Sequence, residues 1–183
     1  MSHSSWPQHL ILVGLMGAGK SSVGRVAAAI LRLPFVDTDV LVENAAGRSI
    51  SQICAESGED AFRRCETGAL QRLLMIPDSV VATGGGAVVR DENWDYFRAA
   101  GLVVWLKVSP EEAFRRTAYD NGRPLLAGVD RLTRLRELHT LREPHYARAH
   151  LQIEVDGLAV QDVARRVAER YEAWRTNQAV RST

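Results

Sequence analysis

The 183-residue chain has only two cysteines, Cys54 and Cys65, with neither Cys-x-x-Cys spacing nor a histidine partner at metal-ligand spacing. That excludes a disulfide scaffold and a structural zinc site, and the two thiols read as reduced, partly buried side chains of a protein in a reducing cytoplasm. No run of 18 apolar residues occurs, which excludes a membrane-spanning helix. Residues Met1 to Gln8 contain no apolar segment and no cleavage pattern, so no secretory signal is read. An excess of one charge is missing too. The 23 Lys and Arg residues face 22 Asp and Glu residues, leaving a formal charge of +1 and no basic patch to draw nucleic acid or an anionic membrane. The five histidines are scattered, and none is read as catalytic. There is no repeat, low-complexity tract or linker. At 46% hydrophobic and 25% charged, the composition is that of one globular domain spanning residues 1–183.

What is present is concentrated in short motifs. Residues Gly14 to Ser21 read Gly-Leu-Met-Gly-Ala-Gly-Lys-Ser, a full G-x-x-x-x-G-K-[ST] phosphate-binding loop. Glycines at 14, 17 and 19 let backbone N–H groups converge on phosphate oxygens. Lys20 brings a point charge to the β- and γ-phosphates, and the Ser21 hydroxyl can ligate magnesium. The flanks agree: Leu10 to Val13 is an apolar strand, and Ser21 to Leu33 carries a helical apolar pattern whose N-terminus faces the phosphates.

Further along, strands and helices alternate. A short strand at Val36 ends at Asp37-Thr38-Asp39, and a helix from Val40 to Ala46 stops at Gly47. One helix runs from Ser49 to Gly58 and another from Glu59 to Leu74. Ser79 to Ala82 is a strand ending at Thr83-Gly84-Gly85-Gly86. Glu92 to Ala100 is helical, Leu102 to Val108 is a strand, and Ser109-Pro110-Glu111-Glu112 starts a helix. Arg123 to Gly128 reads as a loop, Arg131 to Arg148 as a helix interrupted by Pro144, Leu151 to Val155 as the last strand and Val160 to Trp174 as the last helix. Trp105 reads as core and Trp174 as partly exposed. About five buried-type strands alternating with helices predict an α/β fold with a parallel sheet covered on both faces. Ligands then sit at the carboxyl ends of the strands, where residues 14–20, 37–39 and 84–86 converge on one crevice.

Several residues there carry chemistry. Asp37 and Asp39 suit a carboxylate near a metal and a carboxylate orienting an acceptor hydroxyl; the plain alternative is a helix-capping acid beside a solvated one. Arg63 and Glu66 lie i,i+3 on one helical face, and spacing alone favours an exposed ion pair over an arginine posed to grip a carboxylate. Gly84 to Gly86 permit close backbone approach to a ligand, or form a flexible turn. Arg123, beside Asn121 and Gly122, is either a mobile cation closing over ATP or a solvated loop residue. Arg142, near Glu143-Pro144 and Tyr146, says nothing by itself.

The set as a whole resembles the shikimate kinase family. The order is Gly-Ala-Gly-Lys-Ser, Asp-Thr-Asp, Gly-Glu-x-x-Phe-Arg-x-x-Glu from Gly58, Ala-Thr-Gly-Gly-Gly, Arg-Pro-Leu-Leu, and Arg-x-Pro-x-Tyr from Arg142. The resemblance covers the chain from about Leu10 to the last helix, and the combination is far more specific than the phosphate loop, which many kinases share. It implies a three-layer P-loop kinase fold like that of nucleoside monophosphate kinases, with a five-stranded parallel sheet. It implies a core at 10–175, a lid at about 115–130 and a shikimate-binding region at about 37–66, in a cytoplasmic monomer. The implied reaction moves the ATP γ-phosphate to the 3-hydroxyl of shikimate, a late step toward chorismate and the aromatic amino acids. Gly17, Ala18, Gly19, Lys20, Ser21 and Ser22 would bind the ATP phosphates, with Ser21 and, through water, Asp37 serving Mg2+. Asp39 would hold the shikimate hydroxyls and accept the proton. Arg63 and Arg142 would grip the carboxylate, Glu66 would orient that grip, and Gly84, Gly85 and Gly86 would line the pocket. Arg123 would be the lid arginine, and Arg116 would lie against adenine. Catalytic weight falls on Lys20, Asp39 and Arg123. Two stretches depart from the family: Asp156-Gly157-Leu158-Ala159 lacks the adenine-loop proline of many members, and Cys54 stands where an aromatic residue is common.

Two other readings compete. A related kinase acting on gluconate or an aminoshikimate would also need arginines for a carboxylate, although Asp-Thr-Asp with the triple glycine favours shikimate. A nucleotide-dependent switch would normally show Asn-Lys-x-Asp and Asp-x-x-Gly, and neither occurs.

Overall fold

In the computed structural model, which describes residues 7–118 and 130–181, strand β1 (His9–Val13) is buried along its whole length. Its alternating side chains serve two cores. Leu10 and Leu12 face a cluster closed by helices α1 (Lys20–Leu31) and α7 (Val160–Arg181), while Ile11 and Val13 face one closed by α3 (Ile50–Leu73) and α4 (Asp91–Ala100). A strand buried on both faces reads as an unbroken apolar run, which is what Leu10 to Val13 is. Each such side chain contributes about 1.5–3 kcal/mol by leaving water.

The remaining strands are β2 (Phe35–Asp37), β3 (Val80–Ala82), β4 (Gly101–Lys107) and β5 (Leu151–Glu154), and all pairings are parallel, in the order β2-β3-β1-β4-β5. Register aligns Leu12 with Ala82 and Ala82 with Asp37, so the residues following three strands emerge at one edge. Helix α2 (Thr38–Ala46) starts there, capped by Asp37, whose Oδ1 accepts from the Asp39 N–H at 3.1 Å. It ends at Gly47 (φ 63), as the sequence predicts. A small separate core of Val42, Ile53, Phe62 and Ala69, with Cys54 and Cys65 at its edge, binds α2 to α3.

Helix α3 opens on a capping box between Ser49 and Gln52 and breaks at Gly58 (φ 80, ψ 168), the boundary expected between two helices. A 3-10 turn at Ala87–Val89 follows β3. Helix α5 (Pro110–Thr117) has Ser109 as N-cap and Pro110 at its first position. Two sequence expectations need correction. Helix α6 (Arg131–Tyr146) is not interrupted by Pro144, because its buried face (Leu135, Leu138, Arg142, Tyr146) packs continuously across it. Helix α7 runs beyond Trp174 to Arg181, since no glycine or proline stops it.

Two histidines, His9 fully buried and His150 at the surface, tie strands to their surroundings in the neutral form. His9 Nδ1 accepts from the Ser79 N–H at 3.0 Å, which leaves Nε2 to donate to the Leu73 carbonyl at 2.8 Å. His150 Nδ1 accepts from the Val103 N–H at 3.0 Å. Burial pushes both below the ordinary histidine value, and for His9 it outweighs the backbone contacts and Asp78. The unfolded chain therefore takes up protons first. Stability is fully present above about pH 6.5 and is lost as pH falls through that value. Thermal scans from pH 7.5 to 5.5 are expected to show Tm falling by a few degrees, with a flatter profile in His9→Gln. A level wild-type profile contradicts this.

Candidate active site

The phosphate loop joins β1 to α1. Gly17 takes φ 81, and a Cβ there would lie 2.9 Å from the Ala113 carbonyl oxygen, so the residue must be glycine on both counts. Lys20, the first residue of α1, folds back so that Nζ donates to the carbonyls of Gly14 at 2.8 Å and Leu15 at 3.1 Å. Its charge therefore stands over the loop. The Ser21 hydroxyl donates to Asp37 Oδ2 at 2.9 Å. A hydroxyl and a carboxylate oxygen, both hard donors, thus meet beside the loop, the donor set magnesium takes when phosphates and water complete its shell. The described residues contain no cluster of three metal-ligating side chains, so an ion there would depend on the nucleotide for further ligands.

This loop lies midway along a cleft of about 1030 Å³ that also receives Asp39, Arg63, Glu66, Gly84 to Gly86 and Arg142 on one side and Arg116 with residues 157–160 on the other. On the latter side Glu112 holds two arginines: Arg115 at 2.6 and 2.7 Å, and Arg116 Nε at 2.7 Å. The Arg115 hydrogen bonds, assisted by Arg116, depress the Glu112 carboxyl to about 2. Arg116 also donates to the carbonyls of Val155 at 2.7 Å and Gly17 at 3.4 Å, so three segments set the plane of its guanidinium. The stretch that departs from the family lines this end all the same, through Gly157, Leu158 and Ala159.

On the other side, the expectation of an exposed Arg63–Glu66 pair is wrong. The side chain of Arg63 is 11% exposed and that of Glu66 2%, with Nη1 to Oε2 at 2.5 Å. Spacing gives the pair, but burial comes from α3 lying across the glycine turn after β3. Arg63 Nη2 also donates to the more exposed Glu59 at 2.7 Å. Burial works against the charge of Arg63, but Glu66 and Glu59 together outweigh it and hold its pKa above the ordinary value. Burial raises the Glu66 carboxyl although Arg63 opposes it.

The triple glycine is explained by its neighbours. A Cβ on Gly84 would lie 2.9 Å from Asp39 Oδ1 and collide with Glu66 Oε1; on Gly86 it would lie 2.6 Å from Arg63 Cζ. The turn is glycine because the protein's own charged side chains rest on it. It is also tied down: the Gly84 N–H donates to Thr38 Oγ1 at 3.1 Å, and the Gly85 carbonyl accepts from the Tyr146 hydroxyl at 2.6 Å. The motifs did not single out Thr38 or Tyr146 for a role, although Tyr146 stands four residues after Arg142 and so shares its helical face.

Arg142 is 4% exposed and forms no salt bridge among the described residues, and its Nε and Glu66 Oε1 lack hydrogen-bond partners there. A buried guanidinium without a carboxylate is costly unless an anion reaches it. Asp37, Asp39, Lys20, Ser21, Ser22, Arg63, Glu66, the three glycines, Arg116 and Arg142 all line this cleft. Arg123 and most of the lid lie outside the described residues.

The family model for shikimate kinase matches residues 16–172. The chain belongs to the shikimate kinase family. A shikimate kinase of Symbiobacterium thermophilum is 46% identical over 88% of this chain and 95% of its own length. The structure of Acinetobacter baumannii shikimate kinase in complex with shikimate covers 93% of this chain and 95% of its own, at a TM-score of 0.86 and 36% identity. A gluconokinase from Sinorhizobium meliloti matches 97% of the chain and 99% of its own at a TM-score of 0.66 but 18% identity, and so shares the fold alone. The chain is a kinase with the α/β P-loop architecture of this family. No helix among the described residues is long and apolar enough to cross a membrane.

Proposed function

We propose that this member of the shikimate kinase family phosphorylates the 3-hydroxyl of shikimate with ATP, and that the cleft binds the nucleotide across residues 17–22 and Arg116 and the acceptor among Asp39, Arg63, Glu66, Gly84 to Gly86 and Arg142. The observation that carries the reading is the buried Arg142, which forms no salt bridge among the described residues and lines the glycine-bordered end of the cleft. A monoanionic polyol fits this lining, with its carboxylate placed to pair with Arg142 and its hydroxyls placed to reach Asp39. Arg142 then anchors the carboxylate, and Arg63, already shared between Glu66 and Glu59, assists it.

In the reaction, Asp39 orients the acceptor hydroxyl and takes its proton as the oxygen attacks the γ-phosphorus. The bond to the β-bridging oxygen breaks, and ADP leaves. Ser21 and Asp37 would hold magnesium with the nucleotide, and the ion would supply charge neutralisation to the phosphates. Lys20, and Arg123 from the lid, offset the charge of the transferring group. The enzyme works as a single-domain cytoplasmic monomer in this reading; its exposed large apolar side chains, such as Ile30, Val40, Met75, Leu141 and Val180, sit on separate segments.

ADP release with magnesium–ATP is expected with shikimate and not with gluconate or without acceptor. Asp39→Asn should lower it about 10²-fold or more, the usual contribution of a positioned base. ADP formed equally well with gluconate overturns the acceptor assignment.

A further inference from the structure

We propose that Tyr146 is a positioning residue for the acceptor, its hydroxyl fixing the Gly84–Gly86 turn beside Arg142 so that both meet the substrate in fixed relation. The proposal rests on the acceptor-pocket reading above. Tyr146 is fully buried near the end of α6, and its hydroxyl donates to the Gly85 carbonyl at 2.6 Å. Arg142, one helical turn earlier on the same buried face, has its Nη1 3.6 Å from where a Gly85 Cβ would stand. One helix face thus delivers to Gly85 both a cation and a hydroxyl that fixes the peptide.

The ring has its own reason for being there. It stacks on Trp105 of β4, centroids 5.7 Å apart and planes 22° apart. That contact holds the phenol against the sheet independently of the hydroxyl. A phenylalanine would satisfy it equally well, so packing explains the ring and leaves the hydroxyl to be explained. A backbone carbonyl at a glycine can turn away unless something holds it, and the turn's other ties, Gly84 N–H to Thr38 Oγ1 and Asn93 Nδ2 to the Ala87 carbonyl at 2.7 Å, lie on either side of Gly85. Without the tyrosine hydroxyl the central peptide of the turn has no side-chain anchor among the described residues.

Tyr146→Phe tests this, because it keeps the stack and removes one oxygen. Shikimate-dependent ADP release by the wild type is measured first; its absence removes the acceptor reading itself. In Tyr146→Phe the KM for shikimate is expected to rise about 5- to 20-fold, the equivalent of one buried hydrogen bond, with the KM for ATP within about twofold. In the substrate-free protein, amide exchange over residues 83–87 is expected to quicken severalfold while the rest of the sheet keeps its protection. The exchange measurement reads the tether whatever the acceptor proves to be. Unchanged exchange, an unchanged shikimate KM, or equal rises in both KM values with a lowered Tm overturns the proposal. Tyr146→Leu, which also loses the stack, is expected to lose stability as well as affinity.

Discussion

Replacing Lys20 with alanine is expected to lower kcat by about 10²–10³-fold while leaving the protein folded. Phosphoryl transfer asks little covalent chemistry of a protein, so rate comes from position and from charge placed where charge accumulates. Removing one preorganised donor of that kind typically costs about 2.7–4 kcal/mol of transition-state stabilisation. Lys20 is preorganised here: Nζ is held by the carbonyls of Gly14 and Leu15 at the mouth of the loop. The fold should not suffer. Alanine has the highest helix propensity, Lys20 is the first residue of α1, and its side chain is not part of the core. Lys20→Arg should not restore turnover, because a planar fork does not replace a compact ammonium among closely placed carbonyls. Single-turnover ADP formation at saturating ATP and shikimate separates this from weakened nucleotide binding. A kcat within about threefold of wild type, with Tm unchanged, would remove Lys20 from the catalytic set.

Much of the fold was legible because its signals are local. Leu10 to Val13 is apolar at every position because β1 is buried on both faces, and three glycine or acidic clusters follow strands because parallel strands end at one edge. Gly58 marked a helix boundary, and the chain adopts φ 80 there. The failures were tertiary. Pro144 reads as an interruption, yet the buried face from Leu135 to Tyr146 carries α6 across it. The fading apolar pattern after Trp174 hid the end of α7, because an exposed helix needs no stripe to continue.

The site divides in the same way. The phosphate loop is written in consecutive residues and could be read in full. The Arg63–Glu66 pair could be read, but not its burial, because that depends on a turn some 20 residues later lying beneath α3. The triple glycine could be read as close ligand approach or as a flexible turn, but not that Glu66, Asp39 and Arg63 pack against Gly84 and Gly86 where the turn lines the cleft. Arg142 was silent in the sequence and becomes informative once its burial is seen together with the absence of a salt bridge to it among the described residues.

That contrast between the two arginines gives the second large effect. Arg142→Ala and Arg63→Ala are both expected to weaken shikimate binding, and to move stability in different ways. Truncating one partner of a desolvated charge pair costs about 2–5 kcal/mol of binding, so Arg142→Ala should raise the shikimate KM by about 10²-fold or more. In the substrate-free protein, however, Arg142 is a buried cation without a salt bridge among the described residues, so its removal relieves a desolvation penalty. Its Tm should therefore hold or rise. Arg63→Ala should show a smaller KM effect, since Arg63 divides its donors between Glu66 and Glu59. It should also lose about 3–5 kcal/mol of stability, because Glu66 is left buried without its partner. The pH dependence follows from Glu66. Burial already raises its pKa against the pull of Arg63, and deleting Arg63 raises it further. A carboxyl whose folded pKa lies above its unfolded value destabilises the fold increasingly as pH rises from the unfolded to the folded value. The stability deficit of Arg63→Ala should therefore be greatest near pH 8 and shrink toward pH 5, while that variant with Glu66→Gln added should show little such slope. Thermal scans across that range, with shikimate KM measured at pH 7.5, separate the two arginines. A destabilised Arg142→Ala would mean that its charge is satisfied without substrate, and the carboxylate-anchor role would fall with it.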